Sequence, residues 1–413
     1  MTTNSLQTAK NAHAASLHLL SVSELTRKNV LQSIAQQLRL QKMVIIKANQ
    51  LDLEQAAKNN LKSSLLDRLK LTERTIEQMA SSCEQVANAP QVVGLIEDTT
   101  KRADGLIIQK QRIPIGVIAL IFESRPNVVI EAAALAIKSG NALIFKGGSD
   151  ALHSNAILFD VLIQSIKEQM PKFTIQMLET RESVDELLVL DQFINLVIPR
   201  GGEALVKHVK AKATMPVIAH DRGLCHLFVN IDADVETSVK IILNAKTSRP
   251  GVCNALETLL IHKGWKGQET LLKELTSKGV RLKLDEILYQ KWKDKFLVEL
   301  ALESDFNQEW LDLVLSVKQV DSVEAAVDHI QKFGSHHTEA ILSNDQQAIS
   351  YFQNHLDASC IMVNASTRFN DGGELGLGAE MGISTSKLHA YGPMGAKELT
   401  TTRFLVVGTG HIR

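Results

Sequence analysis

The chain has 413 residues, is 45% hydrophobic and 22% charged, and carries a formal net charge of -1 at pH 7. This length predicts two or three domains rather than one. The near-neutral charge and the 4% aromatic content argue against nucleic-acid and membrane partners. There is no signal-peptide pattern, no run of transmembrane length and no CxxC among the four cysteines, so we expect a cytoplasmic protein with reduced thiols.

The N-terminal part is predicted to be helical. Apolar residues recur at three- and four-residue spacing through residues 5–90, and no run there resembles a strand. A polar stretch then ends in Asp104-Gly105, a hairpin turn signal, and residues 106–112 alternate like an exposed strand.

From Ile113 onward strands and helices alternate, which predicts a parallel sheet covered by helices. The predicted strands span 116–122, 141–146, 173–178, 193–198 and 215–219, and the predicted helices span 130–138, 155–169, 185–190 and 203–212. Residues 224–391 repeat the alternation less regularly and predict a second α/β unit. The tail Thr400–Val407 reads as an edge strand, which often pairs with another subunit.

Three predicted strand ends carry polar groups, and ligands of such sheets bind beyond the carboxyl ends of the strands. Glu123–Asn127 places Arg125 where it could bind an anion, although a solvated loop would look the same. Lys146 precedes the pair Gly147-Gly148, and Arg200 precedes Gly201-Gly202 at a helix start that would favour a phosphate. No GxGxxG fingerprint is present, so a dinucleotide would have to be bound in another way.

Cys253 is the candidate nucleophile. A helical stretch ends in Ser248-Arg249-Pro250-Gly251, the thiol follows, and an apolar run begins at Leu256. Pro and Gly leave backbone amides unpaired, and Lys246 and Arg249 add positive charge; both favour the thiolate. A buried structural cysteine is the alternative interpretation. Cys83, Cys225 and Cys360 are expected to be dispensable for chemistry.

Two further segments are candidate site residues. His220-Asp221 follows the predicted strand 215–219, and residues 363–374 are rich in glycine and hydrogen-bonding side chains suited to a small charged molecule. The spacing of His329, His336 and His337 fits no standard ligand pattern, so we expect no metal site.

These segments resemble the gamma-glutamyl phosphate reductase family of the aldehyde dehydrogenase superfamily, from about Ala12 to the C-terminus. The motifs that carry the resemblance are Glu123–Val128, Ser139–Ala142, Arg249–Glu257, Asn364–Phe369, Lys387–Ala390 and Gly392–Gly395. Phe122 stands where tyrosine is usual, a conservative departure.

The resemblance implies an α/β aldehyde dehydrogenase-like fold. Its expected parts are a Rossmann-like NADP-binding domain (1–98 and 113–222), a catalytic α/β domain (223–395) and a small oligomerisation β-element (99–112 and 396–413). It also implies the reduction of L-glutamyl 5-phosphate by NADPH to L-glutamate 5-semialdehyde and phosphate, the second step of proline biosynthesis. A homo-oligomer is the implied assembly, and whether the enzyme associates with glutamate 5-kinase is left open by the sequence.

The same resemblance implies residue roles. Cys253 would form a thioester. The implied oxyanion and substrate residues are Ser124, Arg125, Asn127, Asn254, Asn364, Ser366, Thr367 and Arg368. The implied cofactor residues are Lys146, Gly147, Gly148, Arg200, Gly201, Gly202 and Glu309. No acidic residue follows Lys146 where one would bind a ribose 2′-hydroxyl, which favours NADP(H) over NAD(H).

Two other functions are open from the sequence. A hydrolytic aldehyde dehydrogenase needs a glutamate base to activate water, and the superfamily position for it falls at about His220. A non-enzymatic α/β scaffold would have no use for Cys253 beside Arg249, so the reactivity of the thiol would separate it from an enzyme.

Overall fold

The structure is a computed structural model that describes residues 5–59, 61, 63–219 and 222–413. Contacts divide the chain into two compact units: unit 1 comprises Met1–Ala219, Gly376–Gly382 and Leu388–Arg413, and unit 2 comprises His220–Leu375 and Ile383–Lys387. Residues 376–382 and 388–395, which we expected in the catalytic domain, group with unit 1. The assignment of cofactor binding and catalysis to separate domains remains a prediction.

Unit 1 joins an N-terminal set of helices to a small parallel sheet. Its helices are α1 Ser5–Leu19, α2 Glu24–Leu40, α3 Lys42–Lys58, α4 Ser63–Leu69, α5 Glu73–Asn88, α6 Val128–Ser139, α7 Leu152–Ile166, α8 Glu182–Leu187 and α9 Glu203–Lys212. Its strands are β1 Ile96–Lys101, β2 Ile107–Pro114, β3 Val117–Phe122, β4 Ala142–Lys146, β5 Ile175–Met177, β6 Leu196–Arg200, β15 Gly392–Pro393 and β16 Thr400–Val407.

The parallel sheet of unit 1 has the strand order β5-β4-β3-β6. Every residue of β3 is buried, because the strand is central and both faces are covered. In register, Lys146 pairs with Ile121, and Arg200 pairs with Phe122. From β3 the chain first adds β4 and β5 on one side and then β6 on the other side. The carboxyl ends of β3 and β6 therefore lie at the switch point of the strand order, where doubly wound sheets bind ligands.

A separate antiparallel sheet of unit 1 has the order β1-β2-β16. Gly105 has φ +90° in the turn between β1 and β2, a conformation that glycine adopts without strain. β16 pairs with β2 along its whole length, from Thr400 opposite Pro114 to Val407 opposite Ile107. The predicted hairpin and C-terminal edge strand are therefore confirmed.

Unit 2 is built on a seven-stranded sheet of order β10-β9-β11-β8-β7-β12-β13, in which neighbouring strands pair in parallel. Its strands are β7 Cys225–Val229, β8 Leu256–His262, β9 Arg281–Leu284, β10 Val298–Leu300, β11 Val314–Val320, β12 Thr338–Leu342 and β13 Cys360–Val363, and β14 Ile383–Ser384 lies outside this sheet. Its helices are α10 Val235–Thr247, α11 Gln268–Ser277, α12 Glu286–Trp292, α13 Val323–Phe333 and α14 Gln346–His355. This confirms the predicted second α/β unit.

One predicted strand is wrong. Residues 215–219 make only an isolated parallel bridge between Val217 and Val197, with Val197 N–H donating to Pro216 O and Ile218 N–H donating to Val197 O, both at 3.0 Å. Pro216 has no N–H, so it cannot extend a ladder.

Candidate functional site

Cys253 lies half-buried in a turn between α10 and β8, the local structure that the sequence predicts. Gly223 supports this turn from the segment before β7. A Cβ placed on Gly223 would stand 2.1 Å from Cys253 O and 2.6 Å from Cys253 Cα, so only glycine fits there. The Gly223 N–H donates to Glu309 Oε1 at 2.9 Å, which places Glu309 beside the nucleophile turn.

Cys225 is a contact of the nucleophile that the sequence analysis missed. Its fully buried thiol donates to Cys253 O at 3.1 Å, and its sulfur lies 3.7 Å from His337 Nδ1. Cys225 therefore contacts the backbone of Cys253, and its dispensability for chemistry remains a prediction. Only the spatial proximity of β7 to the turn reveals this contact, and no sequence spacing signals it.

Burial raises the pKa of the three cysteines other than Cys253. Burial raises the pKa of Cys83 to about 12, raises the pKa of Cys225 well above its ordinary value, and raises the pKa of Cys360. A thiolate at neutral pH is therefore disfavoured at these three positions.

Lys246 forms an ion pair with Glu257. Lys246 Nζ lies 2.8 Å from Glu257 Oε2, both side chains are fully buried, and Glu257 Oε1 accepts from Leu311 N–H at 3.0 Å. Desolvation raises the pKa of Glu257 to about 7 and lowers the pKa of Lys246. Lys246 thus forms a structural ion pair, which weakens the argument that its charge stabilises the thiolate.

The loop after β13 is fastened to the nucleophile turn. Thr367 Oγ1 donates to Asn254 O at 2.7 Å, and the Asn254 side-chain amide donates to Arg368 O at 3.3 Å and to Asn370 O at 3.0 Å. Arg368 Nε donates to Ser248 Oγ at 3.3 Å. The structure therefore brings Asn254, Thr367 and Arg368 to Cys253.

Two other residues predicted in this loop brace the backbone. Ser366 Oγ accepts from Arg368 N–H at 3.3 Å and begins a short 3-10 helix. Asn364 accepts from Ser343 N–H at 3.0 Å and donates to Ser343 O at 2.8 Å, so both of its amide atoms are hydrogen-bonded. A direct substrate role for these two side chains remains a prediction.

In unit 1, the turn after β3 carries the predicted residues Ser124, Arg125 and Asn127. Ser124 has φ +44° and hydrogen-bonds Asp150 Oδ2 through its hydroxyl. The Asn127 amide donates to Glu131 Oε1 at 2.7 Å, and Arg125 is half-buried. Ser124 and Asn127 thus hold the turn in shape, and their role towards an oxyanion remains a prediction.

Lys146 ends β4, directly before Gly147 and Gly148. Its pKa is lowered first by desolvation and then by the positive charge of Arg181, while the carboxylates of Asp150, Glu123 and Glu182 oppose this. Arg181 follows β5, whose end is joined to β4 by a 2.8 Å hydrogen bond from Leu178 N–H to Phe145 O. The sheet thus places a second cation near Lys146, which the sequence analysis missed because the two residues are distant along the chain.

At the end of β6, the groups predicted to bind an anion are already bonded to carboxylates of this chain. Glu123 Oε2 accepts from Gly202 N–H at 2.9 Å, and a Cβ on Gly201 would stand 2.4 Å from the same oxygen. Arg200 lies 3.2 Å from Glu380 Oε1. A phosphate at this helix start would have to displace the exposed Glu123 carboxylate.

The candidate site at His220-Asp221 lies outside the described residues. Within the described ranges, no group of three or more His, Cys, Asp or Glu side chains is arranged to hold a metal ion. In the same part of the chain, every helix is too short or too polar to cross a membrane.

The chain is similar to several known proteins. The family model for the aldehyde dehydrogenase family matches residues 3–291. A gamma-glutamyl phosphate reductase of Desulfovibrio desulfuricans is 46% identical over 395 residues, covering 94% of this chain and 93% of that protein. Another, from Thermoanaerobacter sp., is 44% identical over 410 residues, covering 98% of each chain. The crystal structure of the gamma-glutamyl phosphate reductase of Thermotoga maritima has a TM-score of 0.94 and 40% identity, covering 100% of both chains.

Proposed function

Because the chain is an oxidoreductase that belongs to the aldehyde dehydrogenase family, and within it to the gamma-glutamyl phosphate reductases, we propose that it reduces L-glutamyl 5-phosphate with NADPH to L-glutamate 5-semialdehyde and phosphate, the second step of proline biosynthesis. The observation that carries the mechanism is the placement of Cys253. It is half-buried in a turn fixed by Gly223 and Cys225, whereas burial raises the pKa of the other three thiols.

The chemistry on the protein begins with attack of the Cys253 thiolate on the acyl carbon. The carbon–sulfur bond forms, the bond from carbon to the phosphate oxygen breaks, and its electron pair leaves with phosphate. The developing oxyanion needs donors in fixed positions. We propose the Cys253 backbone N–H as one donor and a group of the Ser124–Asn127 turn as the other.

The residues at the sheet edge of unit 1 suit a nicotinamide dinucleotide phosphate. Lys146 and Arg181 supply neighbouring cations at the carboxyl edge of the sheet, which fits a ribose 2′-phosphate. We assign Gly147, Gly148, Arg200, Gly201 and Gly202 to the rest of the dinucleotide, and Glu309, beside the nucleophile turn, to the nicotinamide ribose. When bound, NADPH supplies the hydride that reduces the acyl group.

A homo-oligomer built on residues 99–112 and 396–413 forms part of the same proposal. The supporting observation is β16, an edge strand that exposes Phe404, Val406 and Val407. An exposed apolar edge strand favours pairing with another chain.

The test is a set of cysteine variants. Cys253→Ala should abolish turnover while leaving the free energy of unfolding close to that of the wild type, and Cys83→Ala and Cys360→Ala should retain turnover. Iodoacetamide should modify Cys253 fastest, because burial raises the pKa of the Cys83, Cys225 and Cys360 thiols. Cys225→Ala is not a neutral control, since its thiol holds Cys253 O. Turnover by Cys253→Ala would remove the nucleophile from this mechanism.

A further inference from the structure

Two arginines lie at the nucleophile turn. Arg249 lies within the turn, and Arg368 reaches it from the loop after β13 through the hydrogen bond from its Nε to Ser248 Oγ, 3.3 Å long. Arg368 is half-buried and Arg249 is exposed.

The backbone holds this arrangement in place. Asn254, next to the nucleophile, donates to Arg368 O, and Thr367 donates to Asn254 O. Asn254 and Thr367 are both buried. The backbone of Arg368 is therefore held next to Cys253 by the side chains of two buried residues, which contributes to the preorganisation that a binding site needs.

The positive charges of Arg249 and Arg368 favour the binding of an anion at the turn. Burial is the main cause that lowers the pKa of Arg368, and the charge of Arg249 lowers it further, while Asp371 and Cys253 oppose these effects. Asp371 also accepts from Gly373 N–H through Oδ1 at 2.9 Å. Two like charges placed together repel, and a bound dianion would relieve that repulsion.

We infer that Arg249 and Arg368 form the binding site for the phosphate of the acyl phosphate, and so hold the leaving group beside Cys253. This inference rests on the proposed function. The phosphate oxygen is bonded to the carbon that Cys253 attacks, whereas the α-carboxylate of the substrate is several carbon atoms away. Cations at the thiol therefore suit the phosphate, and the planar fork of arginine matches its oxygens.

Phosphate is a free substrate of the reverse reaction, so its binding can be measured directly. We would determine Michaelis constants for phosphate, semialdehyde and NADP in the wild type, Arg249→Gln, Arg368→Gln and Arg368→Lys. Each glutamine variant should raise the constant for phosphate by roughly 10- to 100-fold, the loss expected for a charge-assisted contact. The constants for semialdehyde and NADP should stay within about two-fold, and Arg368→Lys should recover part of the loss. The matched control is Arg281→Gln, because Arg281 is exposed in unit 2 and pairs with Glu299.

A second measurement needs no turnover. Inorganic phosphate should slow the alkylation of Cys253 by iodoacetamide in the wild type, in a saturable way, and should not slow it in Arg368→Gln. Comparing rates with and without phosphate within each variant cancels any change in thiolate content.

A selective rise for semialdehyde, with the constant for phosphate unchanged, would overturn the inference and assign Arg368 to the α-carboxylate. Wild-type turnover that does not depend on phosphate would instead contradict the proposed function.

Discussion

Gly223 lies directly against the backbone of Cys253: a Cβ on Gly223 would stand 2.1 Å from Cys253 O and 2.6 Å from Cys253 Cα. Gly223→Ala should therefore shift the nucleophile turn and lower kcat by roughly 100-fold, since small misplacements of reacting groups cost that much. The alkylation rate of Cys253 should also change. Gly279→Ala is the control, because Gly279 has φ +77° but no atom within 4 Å, so it tests backbone strain alone. Wild-type turnover by Gly223→Ala would show that the close approach is not needed.

Lys146 and Arg181 should determine the preference for NADPH over NADH. Lys146→Ala and Arg181→Ala should each raise the Michaelis constant for NADPH roughly 10- to 100-fold more than that for NADH, because only NADPH carries the 2′-phosphate. Lys172→Ala is the control, since Lys172 is an exposed cation at the other end of β5. Equal effects on the two cofactors would place both cations elsewhere.

The buried pair of Lys246 and Glu257 should be needed for stability. Glu257→Gln leaves the Lys246 charge buried without its partner and should lower the free energy of unfolding by about 3–5 kcal/mol. Combining it with Lys246→Met should recover most of that loss, as measured by urea denaturation across the double-mutant cycle. Additive effects of the two changes would show that the ion pair does not couple them.

His329 should make the protein less stable in mild acid. It is buried, and desolvation, followed by the charges of His226, Lys318 and Lys332, lowers its pKa to about 2. Between pH 6.5 and that value the unfolded chain binds a proton that the folded chain does not, so the free energy of unfolding falls as the pH falls, by about 1.4 kcal/mol per pH unit.

His329→Phe should remove this pH dependence, because the variant lacks the proton that the unfolded chain takes up at His329. Phenylalanine should fit the site, since Phe306 and Phe333 already line it. His355→Gln, at an exposed position, is the control. Denaturation curves from pH 5 to 7 measure the effect, and an unchanged slope in His329→Phe would contradict the assigned burial of the neutral ring.

Much of the fold could be predicted from periodicity. The N-terminal helices, the fully apolar strand β3 and the edge strand Thr400–Val407 all appear in the structure. Periodicity could not show that residues 215–219 form only an isolated bridge to Val197. Apolar periodicity does not register that Pro216 lacks the N–H that a longer ladder of hydrogen bonds would need.

The candidate site was predicted less completely. Sequence placed Cys253 in its turn, and the structure brings Asn254 and Arg368 to it. Sequence alone could not show Cys225 on the nucleophile backbone or Arg181 near Lys146, since these contacts join distant segments of the chain. It also could not show that Glu257 takes up the charge of Lys246, because that requires knowing that both side chains are buried together.

The most direct test of the thioester mechanism is oxidation of glutamate semialdehyde with NADP in phosphate-free buffer. Phosphate is proposed as the acyl acceptor, because this chain has no glutamate at the position expected for the base that activates water. That position falls at about His220. NADPH formation should therefore stop near one equivalent per active site and resume when phosphate or arsenate is added. Sustained NADPH formation without either anion, with free glutamate as the product, would show that water is the acceptor and would contradict the reductase mechanism.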